Sequence, residues 1–288
     1  MVAELIKGNE IAQAKRDEMK DEVARLKEEG VIPGLVVILV GNDPASLSYV
    51  RGKTKACKQV GINGKLIELP EETSEEKLLE LIDHYNQDET CHGILVQLPL
   101  PDHISDTAII EAISPEKDVD GFHPINIGRM MTGQRAFLPC TPFGIIEMVK
   151  MKGIPIEGKH VVVIGRSNIV GKPVGQLFLN ENATVTYCHS RTANMKEITK
   201  QADILVVAVG KMHFVGKEFV KPGAVVIDVG INRKDDGKLT GDVNFEEVEQ
   251  VASYLTPVPK GVGPMTITML LQNTIQSAKW SHQTEGVH

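Results

Sequence analysis

Aromatic side chains are scarce in this sequence: Phe, Tyr and Trp make up 4% of its 288 residues, with a single Trp. Any core must be built from Val, Ile, Leu and Ala. That suits parallel strands buried on both faces, which read as unbroken aliphatic runs. Paired cysteines are missing too. Cys57, Cys91, Cys140 and Cys188 form no CxxC pair and fit no zinc spacing. They read as buried or half-buried free thiols of a reducing compartment, and no metal site is expected. No apolar run reaches the ~18 residues of a membrane span. The opening segment, MVAELIKGNEIAQAKRDEMK, lacks the apolar core of ~7–15 residues that a secretory signal needs. A cytoplasmic protein with no membrane partner is the expectation. A surplus of positive charge is also lacking: 31 Lys and Arg against 38 Asp and Glu give a net charge of −7. Nucleic acid is therefore excluded as the default partner, although a few local donors can still hold a small anion.

What is present is ordinary globular composition, 42% hydrophobic and 24% charged, at a length that fits two domains or one large one. Helical periodicity over 11–29 is stopped by Gly30 and followed by an aliphatic strand over 35–40. Asp43 and Pro44 form a cap-and-start pair for a helix ending at Gly61. A strand over 65–69, a helix over 74–87, a strand over 93–98 and a short helix over 106–113 complete a first α/β unit. The stretch 114–141, with three prolines and three glycines, reads as irregular, and so long a loop is more often functional than idle. A helix from Thr141-Pro142 to Gly153 leads into a second unit. Its strands cover 161–164, 184–187, 204–209 and 224–229, and its last helix covers 264–280. Strands separated by helices imply right-handed crossovers and parallel sheets. The tail over 281–288 is expected to fray.

In the second unit, strand VVVI (161–164) enters 165-GRSNIVGKPVG-175, with glycines at 165, 171 and 175. A tight glycine turn lets backbone approach a phosphate, and the next helix offers unpaired N–H groups there. The spacing is not GxGxxG, so alone it also fits a plain strand-turn-helix link. The following strand and helix place it where a Rossmann unit needs it. The end of the second strand, 188-CHSRT-192, carries no acid for a ribose. Ser190, Arg191 and Arg166 suit the extra phosphate of NADP instead.

In the first unit, Ser46, Tyr49 and Lys53 share one helix face. The Tyr–Lys spacing fits surface packing, or a proton-handling pair if burial lowers the lysine pKa. Gln97 ends an aliphatic strand, where open α/β sheets bind ligands. Asp118 and Asp120 lie in 118-DVDGFHP-124, too few carboxylates to argue for a metal. Asp120 beside Gly121 can accept hydrogen bonds from the amino and ring N–H groups of a ligand.

The segments 46-SLSYVRGKTKAC-57, 93-GILVQLPLP-101, 118-DVDGFHPINIG-128, 139-PCTPFG-144, 165-GRSNIVGKPVG-175, 188-CHSRT-192 and 257-PVPKGVGPMT-266 together resemble the bifunctional methylenetetrahydrofolate dehydrogenase/cyclohydrolase family, nearly end to end. The resemblance implies two α/β domains with a cleft between them. These are a folate-binding catalytic domain, 1–140 plus 264–288, and a Rossmann-like NADP-binding domain with a parallel sheet, 141–263. It implies NADP-dependent oxidation of 5,10-methylenetetrahydrofolate and hydrolysis of the methenyl product to 10-formyltetrahydrofolate. Lys53 is then the central catalytic residue, with Tyr49 stacking on folate, Gln97 hydrogen-bonding Lys53, and Asp120 anchoring the pterin. Ser46, Leu98, Pro99, Gly263 and Pro264 join these at the substrate, and Gly165, Arg166, Ser167, Ser190, Arg191 and Ile231 surround NADP. The family also implies a homodimer through the NADP domain. Two local departures stand out: Lys260 occupies a place where many relatives carry Gly, and Gly52 precedes the catalytic-type lysine.

Two other readings compete. A hydroxy-acid dehydrogenase would need a histidine relay, for which His123 is the best candidate, although a loop His between Phe and Pro is more often structural. A catalytically silent dinucleotide-binding regulator would need only the second unit and has no use for the polar set of the first.

Overall fold

A computed structural model describes residues 2–285 of the chain. In chain order the elements are β1 (Glu4–Leu5), α1 (Gly8–Glu28), β2 (Gly34–Val40), α2 (Pro44–Val60), β3 (Asn63–Leu69), α3 (Glu75–Gln87), β4 (Gly93–Val96), α4 (Asp106–Ala112), α5 (Pro124–Met131) and α6 (Cys140–Met151). They continue with β5 (His160–Ile164), α7 (Gly171–Asn180), β6 (Thr184–Cys188), α8 (Met195–Thr199), β7 (Ile204–Val207), β8 (Val225–Asp228), β9 (Asn232–Arg233), β10 (Leu239–Thr240), α9 (Phe245–Val248), β11 (Tyr254–Leu255) and α10 (Val262–Glu285). The chain divides into two compact units. One holds Ala14–Cys140 and the chain from Ile267 onward; the other holds the chain up to Gln13 and Thr141–Thr266.

The first of these is built on a three-stranded parallel sheet in the order β3-β2-β4. Strand β2, GLVVILV, is buried at every position, as the aliphatic run requires. Its Val36, Ile38 and Val40 pack with Leu78 and Ile82 of α3, Ile94 and Val96 of β4 and Ile109 of α4. Helix α2 starts and stops on local chemistry. The Asp43 side chain accepts the Ser46 N–H, Pro44 opens the helix, and Gly61 closes it at φ 87°.

The other unit carries a six-stranded parallel sheet in the order β1-β11-β8-β7-β5-β6. Val162, Ile164, Leu205, Val207, Val226 and Leu255 form its aliphatic centre. Sheet order reverses at β5, which has β6 on one side and β7 on the other. This switch point is where open α/β sheets take ligands. Strands β9 and β10 form a separate antiparallel pair.

Several expectations change. The two-residue strands β1 and β11 were not visible in the sequence pattern. Because β1 pairs with β11, the N-terminal residues fall in the dinucleotide-type unit rather than with 14–140. The stretch 114–141 is not wholly irregular. It contains α5, opened by Pro124 and capped by the His123 ring, whose Nδ1 accepts the Ile125 N–H at 3.1 Å. Strand β4 ends at Val96, so Gln97 lies just past it. Helix α10 starts two residues before Pro264 and continues to Glu285; residues 286–288 of the expected frayed tail lie outside the described residues. Lys260 has φ 80°, in the left-handed region that favours glycine, so the departure noted there carries backbone strain. No helix among the described residues is long and apolar enough to cross a membrane.

Candidate active site

The polar set of the first unit assembles on α2, the end of β4 and the loop after α4. Lys53, on the third turn of α2, is buried at 7% exposure. Its Nζ donates to Gln97 Oε1 at 2.9 Å. Gln97 is fixed from both sides: its backbone N–H donates to Ile38 O at 2.8 Å, and its Nε2 donates to Leu98 O at 2.6 Å. The amide therefore has little choice but to turn its oxygen toward the lysine. Burial pulls the Lys53 ammonium below the ordinary lysine range, partly offset by Asp120 and by Cys140 and Cys57. Burial pushes the Asp120 carboxyl up, against Lys53 and a hydrogen bond from Cys140. Both shifts favour the neutral forms, so each group gives up its charge more readily than it would in water.

Ser46, one turn before Tyr49, is buried, whereas Tyr49 is 37% exposed. Desolvation raises the Tyr49 phenol, which stays protonated and presents a flat ring. Leu98 is half-buried and Pro99 exposed beside Gln97.

The two acids of DVDG separate cleanly. Asp118 is 3% exposed and accepts four N–H groups: Gly121 and Phe122 at 3.2 Å, His123 at 2.9 Å and Asn126 Nδ2 at 2.9 Å. It organises the loop. Gly121 turns that loop at φ 77°, where a Cβ would strike the backbone of Leu138 and Pro139. Asp120 is thereby left to face Lys53. His123 is buried as a helix cap, which removes the proton relay that a hydroxy-acid dehydrogenase would need. Sequence reasoning missed two residues here. Cys140 is buried, and its single S–H has two acceptors in reach, Asp120 and Val119 O, the latter at 3.3 Å. Asn273 Nδ2, from α10, donates to Val119 O at 2.8 Å and to Leu138 O at 3.0 Å. The signal for Asn273 was an amide amid the apolar run 269-MLLQNTI-275. All four cysteines are free and buried.

In the second unit, Gly165 sits at φ 134°, where a Cβ would strike Ala208 O. A Cβ on Gly171 would strike the Gly165–Arg166 backbone. The turn is thus packed backbone on backbone, as a phosphate cradle requires. Ser167 Oγ accepts from Val170 N and Gly171 N at 3.2 and 3.1 Å, leaving its hydroxyl hydrogen to donate outward. Arg166, Ser190 and Arg191 are exposed, and no acid follows β6. The Arg191 N–H donates to His189 Nδ1 at 3.2 Å, shaping the turn that presents it. These residues fit NADP: a glycine cradle for the diphosphate and two guanidiniums for the extra phosphate. Ile231 is 46% exposed, and Gly263 lies beside it, 3.9 Å from Ile231 Cδ1 to a Cβ built there. Gly263 and Pro264, at the start of α10, belong to this unit and not to that of Lys53. Among the described residues no group of three His, Cys, Asp or Glu is placed to hold a metal ion.

A parallel α/β unit with a dinucleotide cradle, joined to a second parallel α/β unit with a buried lysine–amide–carboxylate centre, defines a dinucleotide-dependent enzyme. Sequence comparison agrees. A family profile described as tetrahydrofolate dehydrogenase/cyclohydrolase, catalytic domain, matches residues 6–120, and its NAD(P)-binding domain counterpart matches 139–282. The chain belongs to the tetrahydrofolate dehydrogenase/cyclohydrolase family. It is 70% identical over 279 residues to the bifunctional protein FolD of Bacillus anthracis, covering 97% of this chain and 98% of that one. Among solved structures, the bifunctional FolD of Campylobacter jejuni superposes with a TM-score of 0.94 at 49% identity, covering 96% of this chain and 99% of that one. The Trypanosoma brucei enzyme, solved in complex with NADP cofactor and inhibitor, gives 0.93 at 41%, covering 98% and 99%.

Proposed function

We propose that this chain oxidises 5,10-methylenetetrahydrofolate with NADP and hydrolyses the resulting 5,10-methenyltetrahydrofolate to 10-formyltetrahydrofolate, with Lys53 as the proton-handling residue. The observation that carries this reading is the buried Lys53 Nζ, fixed on Gln97 at 2.9 Å beside Asp120.

The folate is held by Asp120, which accepts from the amino and ring N–H groups of the pterin, and by Tyr49, whose ring stacks on it. Ser46, Gln97, Leu98 and Pro99 line the same face, and Gly263 and Pro264 contribute from the start of α10. Gly165, Arg166, Ser167, Ser190, Arg191 and Ile231 hold NADP. When bound, NADP supplies the oxidant, a nicotinamide ring that takes up hydride. For that step the protein's task is positioning, which alone contributes several kcal/mol to lowering a barrier.

The hydrolysis needs acid–base help. Water oxygen bonds to the methenyl carbon, and neutral Lys53 Nζ takes a water proton. The carbon–N5 bond then breaks, N5 receives that proton, and the remaining hydroxyl proton goes to solvent. The net result is 10-formyltetrahydrofolate and one released proton. A permanent ammonium would repel the cationic substrate, so the lowered pKa of Lys53 serves binding as well as proton transfer. The test is a pH profile of hydrolysis. It should carry an ionisation that Lys53→Gln removes, and a profile unchanged by that substitution would contradict the assignment.

The protein acts as a homodimer in the cytoplasm, with no nucleic-acid or membrane partner. Dimerisation is supported by β6, an outer strand of the six-stranded sheet, with exposed Tyr187 on it and exposed Leu179 on α7. Sedimentation should give twice the chain mass. The four buried free thiols support a reducing compartment.

A further inference from the structure

The far side of the dinucleotide crevice contains a pair of acids with no assigned role. The glycine turn follows β5, and Arg166, Ser190 and Arg191 follow β5 and β6. The phosphorylated adenosine half of NADP therefore lies toward β6. Its nicotinamide half is left to the carboxyl ends of β7 and β8, on the other side of the switch point. Two buried carboxylates hold those ends: Asp228, the last residue of β8, and Asp242, just beyond β10 and fully buried.

Among the described residues their oxygens receive only N–H groups. Asp242 Oδ2 accepts from Val209 N at 2.7 Å and Gly210 N at 2.9 Å, and its Oδ1 accepts from Asn232 Nδ2 at 2.9 Å. Asp228 accepts from Gly230, Asp242 and Val243 N–H, each at 3.0 Å. The acids thus pin two loops, 208–210 and 229–232. The first touches the cradle, because Ala208 packs on Gly165. The second carries Ile231. Among the described residues neither carboxylate has an ion-pair partner. Burial pushes the Asp228 carboxyl up to about 7, with Asp242 adding to the rise. Both oxygens of Asp242 face N–H donors, which is the arrangement of an acceptor-only carboxylate and gives the pair its negative charge.

We propose that the Asp228–Asp242 pair positions both loops of the nicotinamide half of the crevice and biases it toward the oxidised dinucleotide. The nicotinamide ring is cationic when oxidised and neutral when reduced. A buried negative charge behind it stabilises the first form and not the second. The pair thus acts as a specificity determinant for the oxidation state that the dehydrogenase consumes. The inference rests on the second unit being the NADP-binding one.

The test is the dissociation constant of oxidised and of reduced NADP, measured by calorimetry on the full chain. Asp242→Asn removes charge but can keep the network. The new amide oxygen still takes the two backbone N–H groups, and Asn232 needs only to flip to face the new NH2. Its affinity for oxidised NADP should fall about tenfold more than its affinity for reduced NADP. Asn232→Ala loosens the same loop with the charge kept, and should weaken both forms equally. If Asp242→Asn does not fold, Asp228→Asn measured well above pH 7, where that carboxyl is ionised, removes one charge and should shift the ratio in the same direction. An unchanged ratio in a variant that still binds reduced NADP overturns the inference. So does a shift in Asn232→Ala as large as in Asp242→Asn. Failure of the unsubstituted chain to bind either form would instead overturn the NADP reading beneath it.

Discussion

At the scale of single residues, chemistry is set by which groups a carboxylate or ammonium must face. Lys53 and Gln97 are 44 residues apart in sequence and meet because Gln97 has its other groups tied to Ile38 and Leu98. Sequence reading found Lys53 on one helix face with Ser46 and Tyr49, and Gln97 as an amide ending an aliphatic strand. It singled out Asp120 as the ligand's acceptor but found no task for Asp118 in the same loop. The donors separate them: Asp118 serves four N–H groups, and Asp120 is left for Lys53. Asp118→Ala should therefore strand several buried donors and cost about 3 kcal/mol or more, with folate affinity lost and NADP affinity kept. Equal loss of both ligands would contradict that division. Lys53 also dictates a pH dependence. Its pKa is lowered, so the neutral base accumulates below the ordinary lysine range. Hydrolysis should rise with pH through that ionisation, at lower pH than an ordinary lysine would give. Dehydrogenation, which needs no base, should not follow the same limb.

At the scale of elements, local signals were legible and non-local ones were not. Helix α2 could be read from Asp43, Pro44 and Gly61 because cap, start and stop lie within the chain segment itself. The aliphatic strands β2, β5, β7 and β8 could be read because burial on both faces forces their composition. Strands β1 and β11 could not, since two residues carry no periodicity and depend on each other's pairing. Helix α5 escaped because it is short and capped by a histidine. Cys140 and Asn273 reach the Asp120 loop from other elements; the apolar run around Asn273 marks a buried amide, but nothing local says which loop it serves. The strain at Lys260 gives an element-scale prediction. At φ 80°, Lys260→Gly should relieve left-handed strain in excess of glycine's added chain entropy, gaining about 0.5–1 kcal/mol. A lowered denaturation midpoint would show that the lysine side chain holds the loop by contacts that outweigh its backbone.

At the scale of the whole molecule, the acidic balance and the anionic ligands are reconciled by placement. A net charge of −7 does not favour polyanions, while the proposed site gives one small anion Arg166, Arg191 and a glycine cradle locally. The aromatic-poor composition becomes two parallel sheets with aliphatic centres. Ligand linkage follows from this arrangement. NADP at one hundred times its dissociation constant should raise the unfolding free energy by about 2.7 kcal/mol. NAD at the same concentration should raise it by less, because it lacks the phosphate that the two arginines meet. Equal stabilisation by NAD and NADP in a thermal melt would remove Arg166 and Arg191 from cofactor selection.

The central claim is that one buried lysine handles the proton of hydrolysis while hydride transfer depends on positioning. It is tested most directly by mixing the Lys53→Met variant with methylenetetrahydrofolate and NADP and following reduced nicotinamide and the methenyl chromophore separately. The account predicts loss of hydrolysis with NADP binding kept, so that any methenyl compound formed or supplied persists. Hydrolysis at the rate of the unsubstituted enzyme would contradict it.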